Sequence, residues 1–439
     1  MSSPDFSLLA TRRFGPLFVV QFLGAFNDNV LKFALLFLAN FGANQSALSG
    51  EMLATVSTGI FILPYFLFSA LAGQIADAID KRILIRWVKT AEIAIMALGL
   101  LGFWIDSIAI LLGCLFLMGL HSTLFGPVKY SILPQHLGAH EMMGGTALIE
   151  AGTFLAILGG QLLAGLVPPW EAGLAATVLA GVGLGASLLI PSAPPSGRGH
   201  HIDWNVIKGT RDILRTASRA PGVWLAILGI SWFFAAGAVL VSEFAPLVSG
   251  KLGGTQGVVT LFLLVFSISI AIGSIAVNRL LKGEVSARYV PLSAALMGAC
   301  LIDLWLSTSA FRSHAVGLDI ARFVQAPGSW HVLVGLAGIS FAGGMFIVPL
   351  YAILSTATVA AERSRVIAAN NIVNSLVTVA VVLVATVMIA LGSDVPGVIG
   401  MMGVATLGVA LVMRRMPSLV DPSLGRLKAG ATDSRSEVP

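Results

Sequence analysis

Charge is what this chain has least of: only 11% of its 439 residues are Asp, Glu, Lys or Arg. A soluble globular protein carries about 25%, and 56% of this chain is apolar. A water-soluble enzyme, a nucleic-acid-binding domain and a disordered scaffold are excluded together. Cysteine is nearly absent. Cys114 and Cys300 both lie inside long apolar runs, where neither a disulfide framework nor a thiolate metal site fits. The paired His200-His201 lacks further ligands, and no metal or cofactor is expected. An N-terminal glycine and a C-terminal prenylation signal are missing too, so the chain is expected to span the membrane and not to be lipid-anchored. Its first apolar stretch follows Arg12 and Arg13 but runs from Phe14 to about Asn40, longer than the h-region of a cleaved signal. It reads as a retained first span.

What the chain does have is apolar runs. They fall at about 14–40, 52–76, 83–104, 107–126, 142–167 and 170–190, then at 222–248, 257–278, 287–309, 329–354, 366–391 and 395–413. A span takes roughly 20 residues, so the expectation is an all-α integral membrane protein of twelve transmembrane helices. The domains read as a six-helix bundle over 1–191, a linker over 192–220, a second bundle over 221–413 and a disordered cytoplasmic tail over 414–439. The linker opens on PSAPPSGRGHH. It continues with Ile202, Val206 and Ile213 on one helical face and Lys208, Arg211 and Arg215 on another. That pattern predicts an amphipathic helix on the inner membrane surface.

Orientation follows from the basic residues. Twenty-two of the 26 lysines and arginines fall on the side holding both termini, the linker and the loops after even-numbered spans. The opposite side has only Lys251, Arg312 and Arg322. Both termini are therefore expected in the cytoplasm. The net charge of +5 reflects those basic loops, not an affinity for nucleic acid. Lys32 is the one basic residue left over, inside span one.

An internal repeat is present. Span four ends in Pro127-Val128-Lys129-Tyr130-Ser131-Ile132-Leu133, and span ten in Pro349-Leu350-Tyr351-Ala352-Ile353-Leu354. Two pseudo-symmetric six-span halves with matching segments suggest parallel repeats, as in the major facilitator superfamily. The loop after span two, Gly73-Gln74-Ile75-Ala76-Asp77-Ala78-Ile79-Asp80-Lys81-Arg82, resembles that superfamily's signature loop. It departs at Ala78 and Asp80, where a basic residue and Gly are usual. The resemblance implies a cytoplasmic gate of Gly73, Asp77, Lys81 and Arg82, with Asp77 facing the positive N-terminal end of span eleven. The plain alternative is a solvated loop anchoring the membrane edge. In the second half, Gly273 to Lys282 keeps the Gly and the bases but has Val277 in place of Asp.

Span one carries the strongest single feature, Gln21-Phe22-Leu23-Gly24-Ala25-Phe26-Asn27-Asp28-Asn29-Val30-Leu31-Lys32. A charge at mid-membrane depth costs roughly 3 kcal/mol or more, so Asn27, Asp28, Asn29 and Lys32 are candidate substrate-binding residues. Asp28 and Lys32 are spaced i, i+4 and can pair, and a packing pair is the competing explanation. An aqueous cavity with both signs of charge suits a zwitterionic or phosphate-bearing head group. Glu150 in span five and Asn370, Asn371 and Asn374 in span eleven extend the candidate cavity, with interhelical hydrogen bonding as the alternative. Glu243 reads as an external rim residue.

These blocks together resemble the bacterial lysophospholipid transporter family. The resemblance rests on Gln21 to Lys32, on Phe125-Gly126-Pro127-Val128-Lys129-Tyr130-Ser131-Ile132-Leu133-Pro134, on Ile149-Glu150-Ala151-Gly152-Thr153 and on Ile347-Val348-Pro349-Leu350. It runs to about residue 413. It implies flipping of lysophospholipids from the outer to the inner leaflet of the bacterial inner membrane for re-acylation, with functional coupling to a lysophospholipid acyltransferase. It also implies that Asp28 and Lys129 contact the head group. Residues 231–242 lack the basic residue that family members place in span seven, so head-group preference is left open. Two rivals remain. One is a proton-coupled exporter of drugs or siderophores, with Asp28 or Glu150 as proton carrier. The other is a membrane acyltransferase, suggested by His314-Ala315-Val316-Gly317-Leu318-Asp319, which fits the HxxxxD pattern but sits in a short external loop.

Overall fold

The computed structural model describes residues 6–41, 50–195, 202–311 and 317–420. His200, His201, Arg312, His314 and the tail from 421 lie outside the described residues. Among the described residues, twelve long helices follow one another: α1 (Gly15–Phe41), α2 (Gly50–Ala78), α3 (Lys81–Trp104), α4 (Ile108–Ser131), α5 (Met142–Leu166) and α6 (Pro169–Leu188). After a linker helix (Val206–Ser218) come α7 (Pro221–Ser242), α8 (Gln256–Leu280), α9 (Val290–Ala310), α10 (Ser329–Thr356), α11 (Arg363–Ala390) and α12 (Val395–Met413). Among the described residues, ten helices are long and apolar enough to cross a membrane. The other two long ones are α1 and α3.

Helix is the form these runs must take, because the bilayer offers no partner for a free backbone N–H or C=O. Three prolines sit inside helices, Pro64 in α2, Pro127 in α4 and Pro349 in α10. Packed neighbours tolerate such breaks within membranes, and α4 accordingly runs through Pro127 to Ser131, beyond the apolar run. Exposed side chains on the outer faces are apolar, as lipid contact requires: Leu166, Val178, Val334 and Leu383 are all more than half exposed.

The chain forms two compact units. The first comprises Met1–Gly138, Leu148–Ala217 and Val359–Leu376, and the second the remainder. Within the first, α2 packs on α4, and α3 on α4 and α6. Within the second, α8 packs on α10, and α9 on α10 and α12. The same pairing scheme thus recurs in both six-helix sets.

The linker helix forms with its apolar stripe and its bases on different faces. Its stripe of Gly209, Ile213 and Ala217 is buried, with Gly209 against Ala70 and Gln74 of α2. The Asp203 N–H donates to Gln74 Oε1 at 2.8 Å. Trp204 and Ile207 are exposed. The last turns of α2, at Ala70 and Gln74, cover the buried stripe.

Between α2 and α3, Asp80 caps α3. Its Oδ1 accepts from the Arg82 N–H at 2.8 Å and the Ala193 N–H at 3.3 Å, and its Oδ2 accepts from the Ser192 hydroxyl at 2.6 Å. Partial burial pushes this carboxyl up, but those donors outweigh it and hold it below its ordinary value of 3.8. A depressed folded value means the contribution is complete above the unfolded value and lost as pH falls through the folded one. Asp80→Ala is expected to cost about 1 kcal/mol, as cap removal does, at neutral pH. Melting in detergent at a series of pH values checks this: the gap between wild type and variant should narrow progressively as pH falls below ~4.

Candidate functional site

The polar run of α1 is wound on a helix, so neighbouring residues point about 100° apart, and each takes a different environment. Asn27 is fully buried and donates from Nδ2 to Glu92 Oε1 of α3 at 2.8 Å. It faces α3, and its amide is engaged there by Glu92. Asp28 turns toward α4, where the Ser122 hydroxyl donates to its Oδ2 at 2.7 Å. Its Oδ1 is buried and has no hydrogen-bond partner among the described residues. Asn29 folds back on its own helix, donating from Nδ2 to the Ala25 carbonyl at 2.9 Å.

The expected Asp28–Lys32 ion pair is not formed among the described residues. Asp28 instead lies in the electrostatic field of Lys129, Lys89 and Glu92. The short Asp28 side chain is drawn sideways to the Ser122 donor, and the i, i+4 spacing alone does not override that.

Lys129 follows Pro127 in the last turn of α4. Its Nζ lies 4.6 Å from the centroid of the Tyr130 ring and interacts electrostatically with both Glu150 and Asp28. The Tyr130 hydroxyl donates to Glu150 Oε1 of α5, and both residues are buried. Close by in sequence, Thr153 donates to Gln21 Oε1 of α1 at 3.0 Å. Tyr65 of α2 reaches Ser122 and Asp28. Asp28, Lys129 and Glu150 therefore form an alternating acid–base–acid set on α1, α4 and α5, edged by tyrosines.

The first half of α11 belongs to the same unit. Asn370 is fully buried, and neither atom of its amide is hydrogen-bonded among the described residues. The Nδ2 of Asn371 is likewise unbonded and packs against Gly126, where a Cβ would lie 2.9 Å from it. Asn374 is half-buried on the same helix. Buried amides without partners are costly, and a polar ligand would satisfy them.

At the other end of the unit, Asp77 Oδ1 accepts from the Ser364 N–H at 3.2 Å, in the first turn of α11. Arg365 Nε lies 3.8 Å from its Oδ2. A carboxylate here meets the positive end of the helix. Gly73 permits the approach of α2 to α11, since a Cβ would lie 2.7 Å from that of Ala368. Lys81 is buried, interacts with Asp77 and donates its backbone N–H to Ala193. Arg82 serves the α3 cap through its backbone N–H.

Sequence reasoning missed Glu92, Lys89, His121, Ser122 and Tyr65. Lys89 counts as a loop charge by position, yet it is buried and paired with Glu92. The signal was legible as a Lys–Glu pair at i, i+3 within an otherwise apolar stretch of α3. Asp319 of the HxxxxD pattern caps a short helix, its Oδ1 accepting from the Arg322 N–H at 2.8 Å. Glu243 sits at the end of α7.

Residues 17–321 match the profile of the Major Facilitator Superfamily. The chain is 28% identical over 346 residues to the lysophospholipid transporter LplT of Escherichia coli strain SE11, covering 76% of this chain and 78% of that protein. The same figures hold for the lysophospholipid transporter LplT of Shigella sonnei strain Ss046. Among solved structures, the human organic anion transporter MFSD10 superposes with a TM-score of 0.73 at 13% identity, covering 92% of this chain and 99% of that one. A bacterial homologue of the iron transporter ferroportin in an outward-facing state gives 0.68 at 13% identity, covering 93% and 100%. At such identities the structural likeness speaks for the fold alone.

Proposed function

The chain belongs to the major facilitator superfamily, and from that premise we propose that it carries lysophospholipids from the outer to the inner leaflet of a bacterial inner membrane, by alternating access, for re-acylation. The observation that carries this reading is the Asp28, Lys129 and Glu150 set, which offers both signs of charge inside the first helix bundle. Relatives named as lysophospholipid transporters over about three quarters of both chains support it.

Asp28, with one carboxylate oxygen unpartnered, accepts the ammonium of the head group. Lys129, braced on Tyr130 and Glu150, takes the phosphate. Asn370 and Asn371 supply hydrogen bonds from α11. The acyl chain needs no polar partner, because apolar walls and lipid suffice for it. Both termini lie in the cytoplasm on the count of basic residues. The meeting of α2 and α11 at Gly73 and Asp77 then acts as the cytoplasmic gate, with Lys81 beside it. Re-acylation calls for a lysophospholipid acyltransferase as functional partner.

Uptake of labelled lysophosphatidylethanolamine by spheroplasts expressing the protein tests the reading. Uptake above that of the empty strain, persisting when a protonophore collapses the proton gradient, is the expected result. No uptake of lysolipid, together with gradient-dependent export of drugs or siderophores, would overturn it.

A further inference from the structure

Behind the transport site, on the side of α1 facing α3, lies a second polar cluster. Glu92 of α3 is fully buried and holds three partners. Its Oε1 accepts from Asn27 Nδ2 of α1 at 2.8 Å, and its Oε2 meets Lys89 Nζ and lies 3.1 Å from His121 Nε2 of α4. Lys89 Nζ also lies 3.4 Å from the Val20 carbonyl of α1. Gly183 of α6 leaves the lysine its room, since a Cβ there would lie 2.7 Å from Lys89 Cε. All four polar side chains are at most 4% exposed, so no aqueous ligand reaches them.

Their placement along the chain is what gives them a role. Asn27 immediately precedes Asp28, and His121 immediately precedes Ser122, the residue whose hydroxyl donates to Asp28. Glu92 therefore grips α1 and α4 one residue before each half of the Asp28–Ser122 contact. A helix held by a buried side chain cannot rotate about its axis without breaking that hydrogen bond. Any rotation that carries Asn27 away from Glu92 also turns Asp28 away from its station.

We propose that Glu92, charge-balanced by Lys89, is a positioning residue that anchors Asn27 and so sets the rotation of α1 at which Asp28 meets the ammonium of the substrate head group. The inference rests on the lysophospholipid reading given above. It makes the cluster matter for substrates that carry an ammonium and not for those that lack one. A cluster that merely holds the bundle together would affect both alike.

The test compares initial-rate uptake of lysophosphatidylethanolamine, which carries an ammonium, with that of lysophosphatidylglycerol, which does not. Asn27→Ala removes the anchor while leaving the Lys89–Glu92 pair intact, so no buried charge is orphaned. Its KM for lysophosphatidylethanolamine should rise about tenfold, the size of one charged hydrogen bond. Its KM for lysophosphatidylglycerol and its Vmax should stay near wild type. A second pair of variants guards against misfolding. Glu92→Gln with Lys89→Met keeps an amide oxygen for Asn27 and should retain wild-type preference. Glu92→Leu with Lys89→Met should behave like Asn27→Ala. Equal KM changes for both lipids, or none for either in Asn27→Ala, would overturn the inference while leaving the transport reading standing. Failure of the wild-type protein to take up either lipid would overturn the transport reading and the inference with it.

Discussion

Asp28→Asn is expected to lower uptake of lysophosphatidylethanolamine about tenfold or more, while the protein still inserts and melts near the wild-type temperature. The amide keeps an oxygen to accept from the Ser122 hydroxyl, so the link between α1 and α4 survives the change. Lost is the negative charge offered by Oδ1, which has no partner of its own among the described residues. A hydrogen bond to a charged group contributes about 1.5–3 kcal/mol, and about 1.4 kcal/mol is a factor of ten. Because no ion pair ties Asp28 to Lys32 among the described residues, the substitution leaves no lysine newly unpaired on its own helix. Uptake and thermal melting measured on the same preparation separate binding from packing. A stable variant with wild-type uptake would remove Asp28 from the site.

The second large effect is expected at the α2–α11 contact. Asp77→Asn loses the charge that meets the first turn of α11 and the Arg365 guanidinium. A charge at a helix terminus is worth up to about 2 kcal/mol in partly buried geometry. A cysteine at Ser131, whose hydroxyl lies 3.0 Å from that of Ser364, reports on opening of this contact. With Cys114 and Cys300 replaced by serine, labelling of Ser131→Cys by an impermeant maleimide from the cytoplasmic face should quicken about tenfold in Asp77→Asn. Gly73→Val should act in the same direction without touching charge, because its Cβ would drive into Ala368 and the backbone of Arg365. Unchanged labelling in both variants would reduce this loop to an anchor.

The two substitutions probe features of unequal visibility in the sequence. Gly73 and Asp77 stand at a spacing that resembles a superfamily signature, and the carboxylate does meet the start of α11. The partner residues Ser364 and Arg365 could not be read from the loop itself, because they lie nearly 290 positions away. Helix positions were legible to within a few residues for most spans, since a run long enough to cross the bilayer is a local property. Where ends differ, the cause is a neighbour. α4 passes through Pro127 because it is packed, and α7 stops at Ser242 before a turn containing Pro246.

Composition and hydropathy by themselves determined the membrane class and the all-helical architecture, because each depends only on residues near one another in the chain. The blocks around Asp28, Lys129 and Glu150 were likewise visible as polar residues in apolar runs. Which way each polar group points was decided only by the tertiary structure. Asn27, Asp28 and Asn29 are adjacent in sequence, yet one is bonded to α3, one to α4 and one to its own helix. Helical spacing fixes the angles between them but leaves the rotation of the whole helix free. That rotation is set by donors and acceptors on other helices, here Glu92 and Ser122, whose side chains reach α1 only once the bundle has packed.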